Sequence, residues 1–270
     1  MNRIDQRFNE LRARGRAAFV PYITAGDPTL ARTRQLVLAL ERAGADVIEL
    51  GIPFSDPLAD GKINQEAAER ALKNNVSLGD VIALVRDLRR ETQVPLIFFT
   101  YLNPVFQYGY ERFAAHAAEA GVDGVLALDV PPEEAAPLKQ ALDARDMRMI
   151  FLVAPTSTDE RIARIAAMAS GFIYHVSLTG VTGERAAIAA DLGENIARIR
   201  AATALPIAVG FGVSKPEHVA AIAKLADGVV VGSAIVKRVG AGGDSNAMVS
   251  GVEQFARELA APLAKAGTRP

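Results

Sequence analysis

A closed (β/α)8 barrel in a single domain is the fold class predicted for this chain of 270 residues, and three observations predict it. Short apolar runs occur eight times along the sequence. Each leads through a turn into an alanine-rich segment with helical spacing. The runs are continuously apolar rather than alternating, as in parallel strands covered on both faces. Eight such units in about 250 residues close a barrel. The alternative is an open doubly wound sheet, whose G-x-G-x-x-G fingerprint is absent after the first strand, where the loop reads TAGDPTL.

The elements follow in order. A charged, amphipathic segment, MNRIDQRFNELRARGR, supplies a short N-terminal helix. Strand Phe19–Thr24 precedes a helical stretch at Thr29–Ala43, and Val47–Leu50 precedes two, Asn64–Asn74 and Leu78–Arg90. Leu96–Thr100, launched by Val94-Pro95, precedes Tyr110–Ala120; Gly124–Leu128 precedes Glu133–Arg145; Met149–Val153 precedes Asp159–Ala169. Phe172–Ser177 precedes Gly193–Ala201, and Ile207–Gly210, launched by Leu205-Pro206, precedes Pro216–Leu225. Gly228–Val231 closes the series, a short helix beginning at Ser233 follows, and GAGGDSNA (Gly240–Ala247) reads as a loop before a last helix at Val252–Ala264. No Pro/Ser-rich linker divides the chain, so residues 1–270 read as one barrel domain.

Composition narrows the function. Half of the residues are hydrophobic, 30 basic side chains nearly cancel 31 acidic ones, and no basic run marks a nucleic-acid binder. The absence of cysteine excludes disulfides, thiol nucleophiles and cysteine metal sites. No run approaches a membrane span or a secretory h-region. A cytoplasmic protein acting on a small molecule is the expectation.

Barrel chemistry sits at the C-terminal ends of strands, and Thr24, Glu49, Thr100, Asp129, Ser177 and Ser233 fall there. Glu49, flanked by Ile48 and Leu50, shares a face with Val47. If that face is interior, desolvation raises its pKa toward neutrality and suits it to give and accept a proton; otherwise it reaches solvent or pairs with an arginine. The loop IPFSDPLADG, stiffened by Pro53 and Pro57, then brings up Asp60, which either joins Glu49 as a second acid or forms an Asp-Gly turn or helix cap. Glycine-rich segments after strands six, seven and eight, SLTGVTG, GFGVS and GSAIV, suit phosphate gripped by backbone amides, with the Ser233 hydroxyl capping its helix or touching the anion.

All seven lysines lie in predicted loops or helices, which disfavours Schiff-base chemistry. The three histidines, His116, His175 and His218, build no evident metal site, and His175, opposite in parity to Tyr174, reads as structural. Acid–base chemistry on a phosphorylated substrate remains.

The motifs FVPYITAGDP, IELGIPFSDPLADG, TYLNPVFQYG, LDVPPEE, GVTG, VGFGVS and VVVGSAIV resemble those of the tryptophan synthase alpha subunit family over nearly the whole chain. The resemblance implies retro-aldol cleavage of indole-3-glycerol phosphate to indole and glyceraldehyde 3-phosphate. It makes Glu49 the general acid–base and puts Asp60 beside the indole N–H. Tyr22, Phe99, Tyr174 and Phe211 become ring contacts, Phe99 standing where the family often has leucine. Gly183, Phe211, Gly212, Gly232 and Ser233 match phosphate positions, and Thr182 matches a closing-loop threonine that contacts Asp60. No cofactor is implied for this chain; pyridoxal phosphate belongs to an implied beta-subunit partner in an αββα assembly, faced by Pro53 and Asp56. Two departures stand out: Lys62 and Asn64 replace the family's usual proline and isoleucine, which loosens the loop and sets a lysine where it could tilt the Asp60 charge or reach the partner. The rival readings are another phosphate-binding barrel enzyme and a non-catalytic subunit that activates the beta chain.

Overall fold

The computed structural model describes residues 1–176, 185–210 and 212–264, with the side chains of residues 185–190 outside that description. Eight parallel strands close in chain order: β1 (Ala18–Thr24), β2 (Ile48–Gly51), β3 (Leu96–Thr100), β4 (Gly124–Ala127), β5 (Arg148–Val153), β6 (Ile173–Val176), β7 (Ile207–Gly210) and β8 (Gly228–Val231). Closure is made by β8 against β1, with Ala18 opposite Gly228 and Pro21 opposite Val231.

Twelve helices are described: α1 (Arg3–Ala13), α2 (Leu30–Arg42), α3 (Lys62–Leu72), α4 (Leu78–Leu88), α5 (Leu102–Tyr108), α6 (Tyr110–Ala120), α7 (Ala136–Asp143), α8 (Asp159–Met168), α9 (Arg185–Ala202), α10 (Pro216–Ala223), α11 (Ser233–Gly242) and α12 (Asn246–Ala264). Strand side chains alternate between two cores. Outward residues such as Phe19, Ile48, Leu96 and Phe98 pack against the helices. Inward residues, among them Val20, Val47, Ile97, Leu126, Ile150 and Val230, fill the barrel, so it is a packed core rather than a pore.

Amphipathic α1 plugs the N-terminal end of the barrel with Ile4, Phe8 and Leu11, and the Phe8 and Phe172 rings lie 5.4 Å apart. Local signals set the boundaries. Asn2 caps α1 through a side-chain bond to the Ile4 amide, Thr29 caps α2, and Ser77 and Asp80 form a reciprocal capping box at α4.

Three sequence expectations need correction. Helix α5 occupies part of TYLNPVFQYG, where only a motif was read; Pro104 lies in its first turn, where its missing N–H costs no intrahelical bond. Gly240–Gly242 continue α11, and α12 starts at Asn246, so the expected eight-residue loop shrinks to 243–245. Ser245 ends that turn and accepts from the Met248 amide. Helix α9 starts earlier than the expected Gly193.

Candidate active site

Glu49 stands on β2 opposite Tyr22 of β1 and Ile97 of β3, on the inward face of the barrel. It is 1% exposed, and its Oε1 has no hydrogen-bond partner among the described residues. Removal from water without a compensating cation raises its pKa to about 8. Of the two readings that the sequence left open for Glu49, the structure has the inward, desolvated one, and among the described residues no arginine pairs with it.

Two tyrosines flank this carboxyl. Tyr22 on β1 reaches toward Thr24, 3.3 Å from hydroxyl to hydroxyl, and its ring meets Phe99 edge-on at 5.0 Å. Tyr174 points inward from β6. Burial raises both phenol pKa values, and the Glu49 charge adds to the effect. Each ring owes its place to a glycine on the adjacent strand. A Cβ on Gly51 would come within 2.1 Å of the Tyr22 hydroxyl, and one on Gly210 within 2.4 Å of the Tyr174 hydroxyl.

Asp60 ends the loop after β2. It does not cap α3, whose N-cap is Gly61 without a side-chain bond. Instead its Oδ2 accepts from the Tyr101 hydroxyl at 3.0 Å and its Oδ1 from Asn64 Nδ2 at 3.3 Å. Tyr101 in turn accepts from the Ala59 amide at 2.9 Å, so one phenol pins both the loop and the carboxylate. Burial pushes the Asp60 pKa up while the two donors hold it down. Tyr101 was quoted in a motif but given no role by sequence reasoning; its position directly after strand β3 was the available signal. Lys62 does not tilt this charge. Its side chain is 88% exposed and lies 3.9 Å from Glu66.

Glu49, Tyr22, Phe99 and Tyr174 share a cavity of about 380 Å³ with Gly61, Ile63, Asn64, Gly212, Gly232 and Ser233. Asp60 sits at its edge beside Gly61 rather than in its wall. At the glycine end, Gly212 adopts φ +66°, a left-handed conformation that side chains resist, and Ser233 begins α11 behind the N-cap Gly232. The N-cap Gly232 has no side chain with which to cap the helix. A helix start leaves amides without intrahelical partners, a ready cradle for an anion. Thr182, Gly183 and Phe211 lie outside the described residues, as does Ser177.

A second cavity of about 360 Å³, lined by Phe8, Arg12, Arg16, Arg200 and Asp227, opens at the opposite end of the barrel. Volume does not separate the two. The carboxyl with a displaced pKa and the helix start belong only to the first. His175 faces outward, is buried, and donates from Nδ1 to the Val153 carbonyl at 3.1 Å, in keeping with a structural role. Among the described residues no cluster of three His, Asp or Glu side chains could hold a metal. No described helix is long and apolar enough to cross a membrane.

A sequence model of the family described as Tryptophan synthase alpha chain matches residues 8–264. The chain belongs to the tryptophan synthase alpha chain family. Among curated relatives of that name, one from Citrifermentans bemidjiense is 55% identical over 237 residues, covering 88% of this chain and 89% of the relative. Another, from Solibacter usitatus, is 49% identical over 259 residues, covering 96% and 97%. Tryptophan synthase subunit alpha from Legionella pneumophila superposes with a TM-score of 0.89 at 36% identity, covering 98% of this chain and all of that one. A chain of tryptophan synthase from M. tuberculosis superposes at 0.86 with 34% identity, covering 97% and 100%. As a family member the chain is a lyase of tryptophan biosynthesis, acting in the alpha reaction on indole-3-glycerol phosphate.

Proposed function

We propose that Glu49 and Asp60 divide the acid–base work of this cleavage. The observation that carries the reading is the dry, unpartnered Glu49, which the shift to about 8 keeps protonated at neutral pH. Its proton passes to C3 of the indole ring, and the positive charge this creates spreads to the ring nitrogen beside ionised Asp60. The glycerol hydroxyl next to the ring then gives its proton to Glu49. The O–H electron pair becomes the carbonyl of glyceraldehyde 3-phosphate, and the carbon–carbon pair returns to the ring to release neutral indole. Glu49 ends as it began, and each acid is tuned to its part by its surroundings.

Tyr22, Phe99 and Tyr174 enclose the ring, with Phe211 as a further contact. Gly212, Gly232, Ser233 and the start of α11 hold the phosphate, joined by Gly183. Thr182 approaches Asp60 when its loop excludes water from the reacting bond. The chain works without a cofactor of its own, in the cytoplasm, and touches neither nucleic acid nor membrane.

A beta chain that carries pyridoxal phosphate is the partner, in an αββα assembly. In support, two large hydrophobic side chains stand exposed on the mouth side of the barrel, Leu58 in the loop after β2 at 93% and Phe106 on α5 at 60%. Pro53 and Asp56 lie in the same loop as Leu58. An activation-only role is the weaker reading, because such a subunit needs no desolvated glutamate.

Indole release from indole-3-glycerol phosphate tests the reading, measured with and without a beta chain. Glu49→Gln abolishes release while leaving the affinity for a glycerol-phosphate analogue within a few-fold; full activity in that variant removes the assigned role. Asp60→Asn causes a similarly deep loss.

A further inference from the structure

Two buried side-chain oxygens have no hydrogen-bond partner among the described residues, Glu49 Oε1 and Asn64 Oδ1. A buried acceptor without a donor is costly, and native proteins keep few of them. The chemistry proposed above uses Glu49. Nothing yet uses the Asn64 oxygen.

Asn64 lies in the first turn of α3, three residues past the N-cap Gly61, and lines the same cavity as Glu49, Tyr22 and Phe99. The two ends of its amide have different surroundings. Nδ2 donates to Asp60 Oδ1 at 3.3 Å, which fixes the nitrogen toward the carboxylate and turns the oxygen away from it. An aliphatic side chain would pack against a ring as well and leave no orphan acceptor. A carboxamide here supplies one donor to Asp60 and keeps one acceptor for a ligand.

We propose that Asn64 is a specificity-determining residue that accepts a hydrogen bond from the ring N–H of the substrate through its oxygen while its amide nitrogen positions Asp60. The inference rests on the proposed function, which puts the ring nitrogen beside Asp60. The Asn64 oxygen then takes the single N–H hydrogen while the Asp60 charge beside it answers the positive charge on that nitrogen, and the ligand supplies the donor that this oxygen lacks among the described residues. A site built to pair with an N–H discriminates strongly against a ring without it, because its polar groups are then left unpaired.

A double-mutant cycle tests this with full-length wild type and Asn64→Leu, a change close in volume that removes both polar ends. The probes are an indole-3-alkyl phosphate and its benzofuran counterpart, in which a ring oxygen replaces the N–H. Calorimetry gives Kd for all four pairs, and Asn64→Ala with a thermal melt checks that the fold persists. The wild type should prefer the indole probe, and Asn64→Leu should lose about fivefold to tenfold of that preference, the size of one ordinary hydrogen bond. An unchanged indole-to-benzofuran ratio in both variants overturns the proposal. If the wild type binds neither probe and cleaves no indole-3-glycerol phosphate, the functional reading itself fails and the inference with it. A structural role alone would lower the affinity for both probes equally.

Discussion

At the scale of single residues, the site depends on two carboxyls held in unlike surroundings. Glu49 binds its proton more tightly in the folded chain, with a pKa near 8 against an ordinary 4.5. Folding therefore takes up a proton between these values, and stability falls as pH rises through that window by roughly 1.4 kcal/mol per pH unit, levelling off above the folded value. Glu49→Gln removes this dependence. Its advantage in unfolding free energy over wild type should be near zero around pH 4.5 and grow to a few kcal/mol by pH 8; a difference that stays flat across denaturant titrations in that range contradicts the assignment. Burial raises the Asp60 pKa as well, but here two hydrogen-bond donors work against it. Tyr101→Phe deletes one of them and leaves the Ala59 amide without its acceptor. The Asp60 pKa should then rise further, moving the acid limb of the pH–rate profile to higher pH and lowering kcat about tenfold at neutral pH, as loss of a hydrogen bond to a charged group would. An unmoved acid limb would show that the phenol does not set the Asp60 charge.

At the scale of elements, glycines on neighbouring strands make room for the two tyrosines, and Tyr22 adds one hydroxyl contact to Thr24. Gly51→Ala pushes a methyl group against the Tyr22 hydroxyl, and overpacking of this kind costs about 1–3 kcal/mol. Activity should fall with the displaced ring, and adding Tyr22→Phe should restore part of both stability and rate. The restoration is partial because ring carbons also lie within 2.6 and 2.8 Å of the added methyl. If the second substitution restores neither, the ring is not what the methyl displaces. Much of this level was legible in the sequence. Continuous apolar runs revealed the strands, and period-two parity put Glu49 on one face with Val47 and His175 on the face opposite Tyr174, while which face of β2 is the inner one came only from the structure. The Tyr101 contact was not legible, because that residue lies 41 positions from Asp60 and meets it only in the folded barrel, while Asn64, four residues away, was read only as a departure from the family pattern. Helix α5 was hidden by Pro104, which reads as a breaker yet sits in a first turn. The glycines at 240 and 242 suggested a loop, but a helix tolerates them where its packing is otherwise sound.

At the scale of the whole molecule, the barrel separates chemistry at one end from stability at the other. The carboxyls, aromatic rings and helix start gather at the C-terminal ends of the strands. The opposite end is tied by ions, and Asp123, just ahead of β4 and 2% exposed, is the centre of the tie. It accepts from Arg3 Nη1 at 2.9 Å, Arg89 Nη2 at 2.7 Å and the Leu96 amide at 2.8 Å, while Asn2 donates to its carbonyl at 2.8 Å. One carboxylate thus joins α1, α4, β3 and β4. Asp123→Ala would leave the Arg89 guanidinium, whose side chain is only 10% exposed, without its counter-charge and with backbone carbonyls as its remaining acceptors, and would break the anchor of α1. Removing one partner of a buried ion pair costs about 3–5 kcal/mol, which for a chain of this size lowers Tm by roughly 10 °C. Because the active-site groups lie at the far end of the strands, kcat/KM at 25 °C should stay within twofold of wild type, while Tyr101→Phe shows the reverse pattern of lost rate at nearly unchanged Tm. Melting curves and cleavage rates measured on both variants decide the matter: a deep loss of activity in Asp123→Ala at a temperature where it remains folded would mean that the two ends of the barrel are coupled, and that the α1 plug helps to position the site.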